Sequence, residues 1–170
     1  RRRTTWILKL RPGLRLPANT NMELKQMLYD ACKRYLEERL QSLLAARNTL
    51  QQDANEETKS SAGDKYETGR AMAHLEMEKL QSQVADVNQM LSDLSRIKPD
   101  DSSPVIKPGS LVFTSRGNFF IAVNAGEHTL GDQKFFIVSG ASPIAQKMRG
   151  LKAGEAFTLN NSTFSITAVH

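Results

Sequence analysis

The heptad rhythm between residues 73 and 94 constrains this chain most. Ala73, Met77, Leu80, Val84, Val87, Leu91 and Leu94 are spaced by 4, 3, 4, 3, 4 and 3 residues. An α-helix puts such positions on one stripe, and an apolar stripe of this kind has to be covered by another helix. Leu36, Leu40, Leu43, Arg47, Leu50 and Ala54 keep the same rhythm, with Arg47 as the one polar member. The two segments are separated by a break from Thr58 to Gly63. A short connection predicts an antiparallel helical hairpin within a monomer, and the alternative is pairing of the same seams between two chains. Roughly 30 residues from Tyr66 to Ile97, at about 1.5 Å each, make an arm on the order of 45 Å long.

Aromatic residues mark a boundary after the arm. All seven Phe lie between Phe113 and Phe164, whereas residues 22–104 hold only Tyr29, Tyr35 and Tyr66. The joining stretch "KPDDSSPVIKPG" carries Pro99, Pro104 and Pro108, which oppose a continuous helix. Beyond it, "SLVFTS", "NFFIAVNA" and "KFFIVS" read as strands, the first two joined by a tight turn at Arg116-Gly117. "SPIAQKMRG" reads as a short helix with Ser142 as N-cap, Pro143 at the first helical position and Gly150 after its end. Phe157, Leu159, Phe164, Ile166 and Ala168 alternate around Asn160-Asn161, a closing hairpin. The predicted class is α+β. A leader spans residues 1–21, a helical hairpin 22–98 with its tip at 53–67, a linker 99–109 and a sheet domain 110–170.

Charge is unevenly placed. The net charge is +5, but residues 1–21 hold six basic residues and no acid. Without them the chain is close to neutral, so bulk charge does not make it a nucleic-acid binder. That leader has no helical or strand periodicity and reads as disordered or non-native, with the helical pattern starting after Met22. The longest apolar runs, such as "FFIAV", fall far short of a membrane span. Cys32 is the single cysteine and forms no internal disulfide, which suits a reducing, cytoplasmic setting. Within a helical pattern and without a nearby His, it reads as a small buried residue rather than a nucleophile. His74, His128 and His170 lack metal-ligand spacing.

The tip concentrates acids: Asp53, Glu56, Glu57, Asp64 and Glu67 stand against Lys59 and Lys65. Asp64-x-x-Glu67 before a helix is a capping box, in which Asp64 accepts from the Glu67 backbone N–H and Glu67 reaches back. The same spacing can instead hold two carboxylates on one side of a helix start, where hard oxygen ligands suit Mg²⁺.

"GDKYE" at the tip of a long hairpin, followed by "SPIAQKMRGLKAGEAFTL", resembles the GreA/GreB transcript-cleavage elongation factors of bacteria. The resemblance covers residues 22–170, and Ser142, Pro143, Ile144, Ala145, Gly150, Lys152 and Gly154 are its more specific part. It implies an FKBP-like C-terminal domain that docks on RNA polymerase at the secondary channel. Ser142, Pro143 and Ile144 would lie at that contact. Asp64 and Glu67 would be the functional carboxylates, sharing Mg²⁺ with the polymerase and meeting the nascent RNA 3′ end only indirectly. The chain itself would not be an enzyme but would stimulate cleavage by the polymerase. Two-metal hydrolysis of a phosphodiester fits that role.

Thr68, Gly69 and Arg70 follow Glu67 where the family continues with Asn-Ala and an acid. Gly69 weakens a helix by roughly 1 kcal/mol relative to Ala, and Arg70 lies one turn from Glu67. These departures keep a second reading open, a non-cleaving relative that occupies the channel. A third is an isomerase or chaperone, with Phe119, Phe120, Phe135 and Phe136 lining a pocket instead of forming a core.

Overall fold

A computed structural model describes residues 20–57 and 65–170, with the side chains of 20, 54, 56–57 and 65–68 left aside. Helix α1 spans Thr20–Glu57 and α2 spans Lys65–Ser95. Strands follow at Leu111–Thr114 (β1), Gly117–Ala122 (β2), Gly126–Leu130 (β3) and Gln133–Ser139 (β4). Helix α3 is Pro143–Met148, and Ala156–Leu159 (β5) and Ser162–Val169 (β6) close the chain. The class is α+β, as the sequence predicts. One compact unit comprises residues 34–92, and the other joins 20–33 to 93–170, so the division falls inside both long helices.

In the 34–92 unit, burial follows the predicted seams. Leu36, Leu80 and Val87 are buried, and Leu40, Leu43, Arg47, Leu50, Ala73, Met77, Val84 and Leu91 are half-buried among mostly exposed neighbours. Leu36, Leu80 and Val87 find their cover within this chain. Arg47 keeps its seam position because a long side chain lays its methylenes along apolar surface while its head reaches water.

In the other unit the six strands form one sheet in the order β3-β4-β2-β1-β6-β5. Every pairing is antiparallel except β2 with β4. That exception follows from β3, which turns back at the outer edge so that β4 returns beside β2. The sequence reading missed β3. "GEHTL" has no apolar alternation, and an edge strand paired only to β4 needs none.

Two hairpins show how side chains fix register. Asn160 and Asn161 have φ of 48° and 61°, the left-handed pair that a two-residue turn between Leu159 and Ser162 demands. The β1–β2 turn is Ser115-Arg116, one residue earlier than predicted, since Thr114 pairs with Gly117. The Thr114 hydroxyl donates to the Gly117 carbonyl at 2.7 Å and accepts from the Arg116 N–H at 3.2 Å, which closes the turn there.

Both sheet faces carry apolar residues. On one, Val112, Phe119, Ile121, Phe157 and Ile166 pack with Ile106 and with Ala145 and Met148 of α3. Leu111, Phe120, Phe135 and Ile137 are fully or nearly fully buried on the other. Burying a side chain such as Phe120 contributes about 2–3 kcal/mol. The start of α1 is tied to this domain. The Asn21 amide lies 3.1 Å from the His170 ring, which stands edge-on to Phe113 at 5.9 Å. Lys25 is buried and donates to the Asp101 carbonyl. Lys107 pairs with the Asp101 carboxylate at 2.8 Å. The linker meets the end of α2 at Gly109, with φ of 91°, where a Cβ would stand 3.1 Å from the Ile97 side chain.

Burial, and then the Lys25 charge, hold the His170 ring below the usual histidine range. The fold therefore favours the neutral ring. Its stabilising contribution is complete above the unfolded value of about 6.5 and is lost as pH falls through the lower folded value. The Asp101 carboxyl, held low by hydrogen bonding and charge from Lys107, titrates in a more acidic window. Thermal midpoints measured from pH 7 to 5 are expected to fall more steeply for the native chain than for His170→Gln. A separate outcome concerns Gly69, exposed within α2, where a Cβ would meet nothing within 4 Å. Gly69→Ala is expected to stabilise the arm by about 1 kcal/mol, read as a higher midpoint by circular dichroism.

Candidate functional site

Asp64 lies outside the described residues, and so does the capping-box hydrogen bonding expected of it. Glu67 is the third residue of α2, with its side chain outside the description. The backbone thus places Glu67 in the first turn of a helix, where the macrodipole favours a negative charge. Arg70 is exposed one turn later.

The second predicted site is fully described. Ser142 is the N-cap of α3, with φ −65° and ψ 148°, and its hydroxyl accepts from the Ala145 N–H at 3.3 Å. Pro143 follows in the first helical turn, where its missing N–H leaves no donor unsatisfied. The Gln146 side chain donates to the Gly140 carbonyl at 3.0 Å and holds the entering chain against the helix. At the other end, Gly150 donates to the Ile106 carbonyl at 3.0 Å with φ of 82°. Pro143 is exposed, Ser142 is half-buried, and Ile144 is half-buried against the core cluster. Ile144 packs one side against the core cluster and stays partly accessible beside Ser142 and Pro143.

A groove of about 280 Å³ runs beside α3. Ile106, Ile121, Ala145 and Gly140 form much of its wall, and Lys107, Gln146 and Arg149 supply polar groups. Lys107 already faces Asp101, whereas Arg149 is exposed. Sequence reasoning missed this groove. Its rim joins residues about 40 positions apart, and only the topology brings Lys107 to Arg149. The adjoining "KPG" and "MRG" turns were the visible signal.

No phenylalanine lines that groove. Phe119, Phe120 and Phe135 are buried, so three of the four aromatics considered for an isomerase pocket are core. Cys32 is fully buried and its thiol is pushed up to about 12 by desolvation, far from a thiolate at neutral pH. His74 faces Glu78 on α2 at 3.4 Å. Among the described residues no three His, Cys, Asp or Glu side chains gather to hold a metal ion. No helix among them is long and apolar enough to cross a membrane.

No family model matches the chain, and no curated protein matches it. Solved structures are similar, among them the following two. One is titled "Structure of the transcription factor Gfh1", at 18% identity over 81% of this chain and 92% of that one, with a TM-score of 0.33. The other is GreA factor homolog 1 (Gfh1) of Thermus thermophilus, at 20% identity over 88% and 94%, with a TM-score of 0.31. At these values the likeness assigns no residue a role.

Proposed function

We propose that this chain is a Gre-type elongation factor that binds RNA polymerase at its secondary channel and stimulates cleavage of backtracked transcripts. The observation that carries the reading is the pairing of Gly63-Asp64-x-x-Glu67, at the acidic break between two long helices, with a capped "SPIA" helix in the sheet domain. In this reading α3 and its groove make the docking face. Ser142 and Pro143 present a helix start already fixed by its cap, so little ordering entropy is lost on binding. The exposed Arg149 favours an acidic partner surface.

The arm then brings Asp64 and Glu67 to the polymerase active centre. Carboxylates there can help hold a second Mg²⁺ and orient the attacking water, with the polymerase supplying the rest of the ligands. In this reading Asp64 and Glu67 are the residues that would hold such a metal, jointly with the polymerase. The second reading is a non-cleaving regulator that occupies the same channel. It is favoured by Gly69 and Arg70, which loosen the first turns of α2 and put a cation one turn from Glu67.

Two outcomes test the proposal. Asp64→Ala with Glu67→Ala should reduce stimulated cleavage in a backtracked complex by at least tenfold and leave polymerase affinity within about twofold. Unchanged cleavage would remove the catalytic role and leave the capping box. In the full chain, Ser142→Glu, checked to be folded, should weaken polymerase binding about tenfold or more. Equal affinity would place the docking face elsewhere.

A further inference from the structure

We infer that the sheet domain carries a stacking shelf for single-stranded nucleic acid, built from Phe136 and Arg116 at one end of the sheet. Phe136 is one of the few large apolar side chains left well exposed, at 36%. It is the outer member of an aromatic row that crosses the sheet. Its ring lies 5.6 Å from Phe119 at a tilt of 32°. Phe119 meets Phe164 edge-on at 6.3 Å, and Phe164 stacks on Phe157 at 4.9 Å and 5°. The inner rings are core and hold the outer one in place. Gly117 completes the seat, since a Cβ there would stand 3.2 Å from the Phe136 ring.

The charge beside this shelf is opposite in sign to a phosphate. Arg116 is exposed and sits 6.0 Å over the Phe164 ring. Its Nε donates to the Thr163 carbonyl at 3.0 Å, which holds the side chain in place. Glu127, opposite Phe136 on β3, is the acid nearest in the ladder, and Lys134 offsets it at 3.0 Å. Residues 105–170 carry six basic and three acidic side chains. A partly exposed flat ring on a rigid backing, with a guanidinium held over Phe164 farther along the same aromatic row, is an arrangement that can take an unstacked base and a neighbouring phosphate. A duplex hides its base faces and gains nothing from such a ring.

This inference is independent of polymerase binding and is tested on the full chain alone. Fluorescence anisotropy is measured with a labelled uridine 12-mer, the corresponding DNA 12-mer and an RNA duplex of the same length, at several salt concentrations. The basic residues of 1–21 give a background common to all variants, so the differences between variants carry the result. Phe136→Leu, which keeps apolar bulk and is checked by thermal melting, should weaken single-strand binding about tenfold. Arg116→Gln should weaken it and reduce the salt slope by about 0.7, the loss of one phosphate contact. Glu127→Gln should tighten it about twofold by removing a like charge. Comparable binding of the RNA and DNA 12-mers fits stacking on a base face. Absent single-strand binding, equal binding of the duplex, or unchanged affinity in both folded Phe136→Leu and Arg116→Gln would overturn the shelf.

Discussion

The apolar seam along the two long helices is the constraint on which the arm depends. Among the described residues of the 34–92 unit, most positions off the seam are exposed, so the seam supplies its core. Each buried leucine there contributes on the order of 1.5–3 kcal/mol, and the unit has few of them. A helix pair of this kind is long and slender because each added heptad adds both length and core. In the sequence, acids collect where the two seams end, at Asp53, Glu56, Glu57, Asp64 and Glu67.

The sheet domain solves a different problem. It has apolar residues on both faces and must cover each of them. Helix α3 covers one face. The first turns of α1 are fastened to the domain through Asn21, His170 and the buried Lys25. A lysine inside is costly unless its ammonium finds an acceptor, and the Asp101 carbonyl provides it. Burial lowers the Lys25 pKa despite the nearby Asp101 charge, which shows that desolvation outweighs attraction at this contact.

Much of this was legible in the residues. The seams, the Ser142 cap and the Asn160-Asn161 turn were readable because each is a local pattern with one physical solution. Strand β3 was not, since its pairing with β4 satisfies backbone groups and leaves no mark on side-chain alternation. The buried Lys25 was invisible for a related reason: nothing in a helical sequence tells a solvated lysine from one that meets a carbonyl 76 residues away. The groove beside α3 likewise depends on chain crossings. For the candidate site, the sequence speaks most strongly at Asp64, outside the described residues, while the structure speaks most strongly at Ser142 and Pro143.

The account's central claim is that the arm carries its tip to a polymerase active centre. Cys32 is buried with a strongly raised pKa, so a new cysteine at Lys65→Cys, the first residue of α2, can be labelled in preference to it with a short photo-crosslinker. The labelled chain is then irradiated on a backtracked elongation complex. The account predicts crosslinks to residues lining the catalytic centre and to the extruded RNA 3′ end. Crosslinks confined to the outer surface of the polymerase, or none in a complex shown to be bound, would contradict it.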